Sequence, residues 1–236
     1  MNVLVTRTPE QSVNFINLLS KNGFYPFLLP LIRIEKLDYK LDDINYDYIV
    51  FTSKNACKYF LDSISKFNLN LCNVIAVGSK TAEALEKAGI NVNYIPEEYS
   101  QSGLIRLFDE LGVSNKKILI PGSSKRDTEL IDYLCKKNCL VKTLDIYETK
   151  SVKYPDSYVE NFIKDNNINI ITLFSPSAAK SLISQVDINL LHSIKIVSIG
   201  IKTANFLNKY NLETFYPNTF TEECVLDVIV KLRVGG

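Results

Sequence analysis

Apolar residues in this chain fall into short runs, separated by stretches in which they return every third or fourth position. The short runs lie at residues 3–6, 27–34, 48–52, 74–77, 117–120, 141–146, 170–174 and 196–199, and each predicts a strand. The stretches that follow, among them 10–22, 80–88 and 128–137, carry the spacing of helices with one apolar face. Strand and helix in regular alternation predict an α/β protein built on parallel sheets with crossover helices.

The pattern repeats itself. Phe51-Thr52-Ser53-Lys54-Asn55-Ala56 is echoed by Leu173-Phe174-Ser175-Pro176-Ser177-Ala178, and Val77-Gly78-Ser79-Lys80-Thr81-Ala82 by Ile199-Gly200-Ile201-Lys202-Thr203-Ala204. Position 56 answers to 178 and position 82 to 204, an offset of 122 in both cases. Tyr94-Ile95-Pro96 then meets Tyr216-Pro217 after a one-residue slip. An earlier piece also recurs, Leu18-Leu19-Ser20-Lys21-Asn22-Gly23-Phe24 against Leu134-Cys135-Lys136-Lys137-Asn138-Cys139-Leu140. Chance matches would not share an offset, so the chain is one unit used twice, and 236 residues suit two small domains.

Composition narrows the function classes. Hydrophobic residues at 46% and charged residues at 22% are those of a globular protein. A net charge of +1 provides no global basic field of the kind nucleic-acid binders use. Met1-Asn2-Val3-Leu4-Val5-Thr6-Arg7 enters a strand pattern at once, so no signal peptide is expected. No apolar run approaches the ~18 residues of a membrane span. The five cysteines, at 57, 72, 135, 139 and 224, are scattered and odd in number, which predicts reduced thiols in the cytoplasm. Cys135 and Cys139 would sit one turn apart on a helix, but His192 is the only histidine and no second cysteine pair exists, so no metal is expected.

In open parallel sheets, ligands bind beyond the carboxyl ends of the strands, where loops enter helix N-termini. Six such loops can be read here: Thr6-Arg7-Thr8-Pro9, Thr52-Ser53-Lys54-Asn55, Gly78-Ser79-Lys80-Thr81, Pro121-Gly122-Ser123-Ser124-Lys125-Arg126, Ser175-Pro176-Ser177 and Gly200-Ile201-Lys202-Thr203. None contains Asp or Glu, although the chain has 26 of them, and five of the six contain Lys or Arg. Any one loop could simply be capping its helix. Together they predict a polyanion site of backbone amides, hydroxyls and local cations. The nucleotide motifs fail: Ser79 stands where a P-loop needs its second glycine, and there is no G-x-G-x-x-G or G-x-S-x-G.

On these residues the chain resembles the uroporphyrinogen-III synthase family. The matching stretches are Val3-Leu4-Val5-Thr6-Arg7, Val50 to Ala56, Val77 to Ala82, Pro121-Gly122 with Lys125-Arg126, Ile146-Tyr147-Glu148-Thr149, Phe174 to Ala178 and Ile199 to Ala204, in family order over nearly the whole chain. Asp127 follows Lys125-Arg126 where Glu is more usual, and Lys54 and Ile201 sit at variable positions. The resemblance implies two similar flavodoxin-like domains joined by a two-stranded hinge, one combining residues 1–35 with 150–236 and the other spanning 36–149. Connections near 35–41 and 148–155 would let the domains open and close around a ligand.

The implied activity is that of a cofactor-independent cyclising lyase of porphyrin, tetrapyrrole and heme biosynthesis. Hydroxymethylbilane, a linear tetrapyrrole with eight carboxylates, would lose water, close through a spiro intermediate and emerge with ring D inverted. The implied substrate-binding residues are Arg7, Ser53, Lys54, Ser79, Thr81, Gly122, Lys125, Arg126, Ser175, Ser177, Lys202 and Thr203. The implied catalytic residue is Tyr147. The expected protein is a cytoplasmic monomer without metal, organic cofactor, nucleic-acid partner or membrane. The alternative is a non-catalytic two-domain binder of a small polyanion.

Overall fold

The computed structural model describes residues 1–41, 45–61 and 72–234. In chain order, the first elements are β1 (Asn2–Val5), α1 (Pro9–Lys21), β2 (Tyr25–Leu28), β3 (Ile32–Lys36), β4 (Tyr48–Phe51), α2 (Lys54–Leu61), β5 (Asn73–Ala76), α3 (Ser79–Glu86) and α4 (Gln101–Glu110). Next come β6 (Lys117–Ser123), α5 (Glu129–Lys136), β7 (Leu140–Ser151), α6 (Tyr158–Asp165), β8 (Ile168–Leu173) and α7 (Pro176–Ile183). The last are α8 (Ile188–Leu191), β9 (Lys195–Ser198), α9 (Ile201–Asn208), β10 (Thr214–Phe215) and α10 (Glu222–Val234). The chain forms two compact units, Met1–Ile34 with Thr149–Gly236, and Glu35–Glu148.

The sheet of the first unit runs β10-β9-β8-β1-β2, and its neighbours are parallel. Its strands are buried on both faces, which is why they read as continuous apolar runs. Leu4, Ile171 and Ile196 point to one face, among residues of α6, α7 and α9. Their neighbours Val3, Val5, Ile170 and Val197 point to the other, against Phe15 and Leu19 of α1 and Val225 and Ile229 of α10.

The other sheet runs β3-β7-β6-β4-β5. Val50, Ile75, Ile118 and Ile120 pack there on Leu104 and Phe108 of α4 and Leu130 and Leu134 of α5.

The duplication is carried into the fold. Adding 122 to the bounds of α2, β5 and α3 gives the bounds of α7, β9 and α9. The order β9-β8-β1-β2 in one sheet corresponds to β5-β4-β6-β7 in the other, although the chain visits the two halves of that order in opposite sequence. Even the short β10 has its counterpart: Phe215 pairs Val197, and Tyr94 bridges Ile75, which is Val197 less 122.

Three sequence expectations change. Residues 27–34 are not one strand. β2 belongs to the first sheet and β3 to the second, with Leu29-Pro30-Leu31 between them. Pro30 has no N–H for a ladder, while Leu29 and Leu31 donate to the carbonyls of Val5 and Thr6 at 3.0 and 2.9 Å. The strand expected at 141–146 is longer, running from Leu140 to Ser151, so the start of the connection expected near 148–155 is itself strand. Cys135 and Cys139 do not share a helix, because α5 ends at Lys136 and Asn138 turns left-handed, with φ of 59°. That turn buries Cys139 and leaves Cys135 exposed. Among the described residues, no helix is long and apolar enough to cross a membrane.

Candidate functional site

Tyr147 and Ser53 are brought together in the second unit by strand pairing. β4 delivers Thr52 and Ser53 to the start of α2, and Ser53 Oγ accepts a hydrogen bond from the Ala56 amide at 3.1 Å, capping that helix. β6 lies beside β7 with Ser123 opposite Tyr147, and the register shifts between Gly122 and Ser123. The Ser124 amide donates to the Tyr147 carbonyl at 3.0 Å. Tyr147 is thereby held with only 8% of its surface exposed, its hydroxyl 3.1 Å from Ser53 Oγ and its ring 5.8 Å from that of Tyr59.

Ser53 and Tyr147 line a pocket of about 200 Å³ that also includes Thr52, Gln101, Gly122 and Lys125. Among the described residues nothing crowds Gly122, where a Cβ would meet only Thr52 Oγ1, at 4.0 Å.

Arg126 lines the same pocket, but its guanidinium is committed elsewhere. Nε donates to the Ser123 carbonyl at 3.0 Å, Nη1 to that of Ile120 at 3.0 Å and Nη2 to that of Leu144 at 3.2 Å. Nη2 also pairs with Asp145. Burial draws its pKa below the usual guanidinium value, with Asp145 opposing. As placed, Arg126 ties the β6 loop to β7, and Lys125 is the exposed cation beside it.

Beneath the Ser53 loop lies Cys57, 1% exposed, its thiol 3.4 Å from the Ser53 carbonyl and pushed up to about 12 by burial. A thiol so rarely ionised reacts poorly. Iodoacetamide at pH 8 should therefore modify exposed Cys135 well before Cys57, as peptide mass spectrometry would show. Equal rates would contradict this packing.

The other loops are distributed over the two units. Gly78, with φ of 91°, precedes α3. Ser79 and Lys80 are exposed there, and Lys54 is exposed at the start of α2. Thr81, expected to offer its hydroxyl, is only 5% exposed, and its amide returns to the Gly78 carbonyl at 3.0 Å. Its counterpart Thr203 is 2% exposed, with its amide on the Gly200 carbonyl at 3.2 Å. At both turns the outward donors are thus the first-turn amides before the threonine, which have no intrahelical acceptor.

In the first unit, Ser175 Oγ accepts from the Ala178 amide at 3.2 Å to cap α7, Ser177 is half-buried and Lys202 is exposed. Arg7 pairs with Glu222 and lies 4.4 Å over the ring of Phe174. The acid-free loop at Arg7 therefore receives an acid from α10, 215 residues away.

Gln101 was not singled out from the sequence. Its Oε1 is buried without a hydrogen-bond partner among the described residues, and Gln101 is part of the pocket lining. The slip at Tyr94 reduces the repeat offset to 121, so Gln101 stands where the first unit has Glu222. Glu222 is occupied by Arg7, whereas Gln101 lines the pocket.

Comparison with known proteins gives a consistent picture. The family model described as "Uroporphyrinogen-III synthase HemD" matches residues 14–227. A Methanocaldococcus jannaschii protein, described provisionally as a uroporphyrinogen-III synthase, is 30% identical over 247 residues, covering 99% of each chain. The porphyrin biosynthesis protein HemD of Ruminiclostridium josui is 28% identical over 99% of this chain, which spans only 48% of that longer protein. Among solved structures, the uroporphyrinogen-III synthetase of Helicobacter pylori superposes with a TM-score of 0.71 at 19% identity, covering 98% of this chain and 99% of its own. That likeness concerns the fold.

Proposed function

This chain belongs to the uroporphyrinogen-III synthase family, and we propose that its carboxyl-edge loops hold a linear tetrapyrrole while Tyr147 assists departure of the terminal hydroxyl. The activity is cyclisation of hydroxymethylbilane to uroporphyrinogen III, with loss of water. The observation that carries the assignment of roles is the Tyr147–Ser53 hydroxyl pair, at 3.1 Å, in the pocket bounded by Gly122 and Lys125.

The chemistry asks little covalent work of the protein. The pyrrole nitrogen lone pair expels the hydroxyl, which must take up a proton to leave as water, and an azafulvene results. Ser53 Oγ already accepts from the Ala56 amide. With its own proton turned to the Tyr147 oxygen, the phenol proton is free for the leaving group. Ring D then attacks through its substituted carbon, and the spiro intermediate reopens and recloses with ring D inverted. Unassisted closure through the free carbon gives the type I isomer. Holding the chain for the other closure is catalysis by orientation. In this reading the protein is a cytoplasmic monomer acting on a small molecule, without nucleic acid, membrane or cofactor.

Eight carboxylates spread over many amides, hydroxyls and the exposed Lys54 and Lys125 make each contact a modest one. Ser53→Ala should lower kcat/KM by about 2–12-fold, the equivalent of a net hydrogen bond worth about 0.5–1.5 kcal/mol. Turnover of hydroxymethylbilane by the folded variant measures this. Complete loss in several such single variants would contradict distributed holding.

A further inference from the structure

Among the described residues, the two most exposed aromatic rings at the carboxyl edges occupy equivalent places in the repeat. Tyr99 and Phe220 are each 60% exposed and lie 121 residues apart, the same slipped offset that relates Tyr94 to Phe215. Each precedes a capping hydroxyl. Ser100 Oγ accepts from the Gly103 amide at 3.0 Å at the start of α4, and Thr221 Oγ1 accepts from the Cys224 amide at 3.2 Å at the start of α10. An apolar residue at this position usually packs inward on the fourth helical residue. Here those residues, Leu104 and Val225, are already 1% and 0% exposed, while the rings stand out.

Each ring instead lies against a glycine at the N-terminus of another helix. A Cβ on Gly78 would come within 3.2 Å of Tyr99 Cδ2, and one on Gly200 within 2.7 Å of Phe220 Cδ1. Gly78 has a left-handed φ of 91°, which itself favours glycine. Gly200 does not: its φ of 177° is extended backbone open to any residue. The aromatic ring is therefore what excludes a side chain at Gly200. One face of each ring is seated on glycine beside the outward first-turn amides of α3 or α9, where a carboxylate would bind.

We propose that Tyr99 and Phe220 are each a stacking face for a pyrrole ring, with the adjoining helix N-terminus receiving the carboxylate arm of the stacked ring. The inference rests on the proposed function and adds specificity-determining residues to it. A π-face next to an anion seat matches a pyrrole carrying a carboxylate arm, and aromatic pairs prefer such offset contact.

The chain has no tryptophan, so Tyr99→Trp and Phe220→Trp each create a single reporter. Titration with uroporphyrinogen III, kept reduced, should change the emission of both. Tyr25→Trp, at the amino edge of the first sheet where Tyr25 is 67% exposed, should give no change. Separately, Tyr99→Leu and Phe220→Leu should each raise KM for hydroxymethylbilane about three- to tenfold with kcat much less affected. Silent reporters together with unchanged KM, in a protein whose wild type forms type III product, overturn the stacking alone. A wild type that neither binds nor cyclises the tetrapyrrole overturns the proposed function along with it.

Discussion

Tyr147→Phe is expected to fold as the wild type does and to turn over at least about tenfold more slowly, with type III still the main product. The substitution keeps the ring that packs near Tyr59 and removes only the oxygen 3.1 Å from Ser53 Oγ. Ser53 retains its cap on the Ala56 amide, so α2 should start where it does now. General acids contribute about 10²–10⁴-fold. The pyrrole lone pair already drives hydroxyl departure, which places this contribution at or below the lower end of that range. Single-turnover kinetics with isomer analysis separates the outcomes. Near-normal turnover would show that the hydroxyl is idle. A slow variant releasing mainly type I would show that Tyr147 steers closure, and the acid role would fall.

Arg126→Ala should act on stability before it acts on binding. Its guanidinium serves the carbonyls of Ser123, Ile120 and Leu144 and is only 16% exposed, whereas its partner Asp145 is 56% exposed. Asp145 can therefore be rehydrated after the change, but the main-chain acceptors lose charged donors in a partly buried place. The loss should be about 2–4 kcal/mol in denaturant unfolding. Lys125→Ala, one residue earlier and exposed, should change stability by no more than about 0.5 kcal/mol while raising KM. An Arg126→Ala protein of wild-type stability with a raised KM would show that the guanidinium is free to meet substrate.

Arg126 also illustrates where sequence reading stops. Lys125 and Arg126 stand side by side in an acid-free loop, and nothing local distinguishes them. What separates them is the return of β7, which brings the Leu144 carbonyl and Asp145 to Arg126. Arg7 is a longer-range case, since its partner Glu222 is the first residue of α10. The repeat, by contrast, was legible because it is written in residue order. An offset of 122 found in two loops fixes the bounds of three further elements in the second half of the fold. The break at Pro30 was not read, since apolar residues on both sides of it suit either one strand or two. Burial of Thr81 and Thr203 was likewise hidden, because a hydroxyl in a helix's first turn can face in or out. Gln101 could have been found by carrying the slipped offset of 121 one helix further, to Glu222.

The central claim, that this chain directs closure of the tetrapyrrole, is tested most directly by incubating the purified protein with hydroxymethylbilane and separating the isomers formed. Uroporphyrinogen III should accumulate in proportion to protein concentration and without added metal or cofactor, outrunning spontaneous formation of the type I isomer. Type I product alone, formed at the rate seen without protein, would contradict the account.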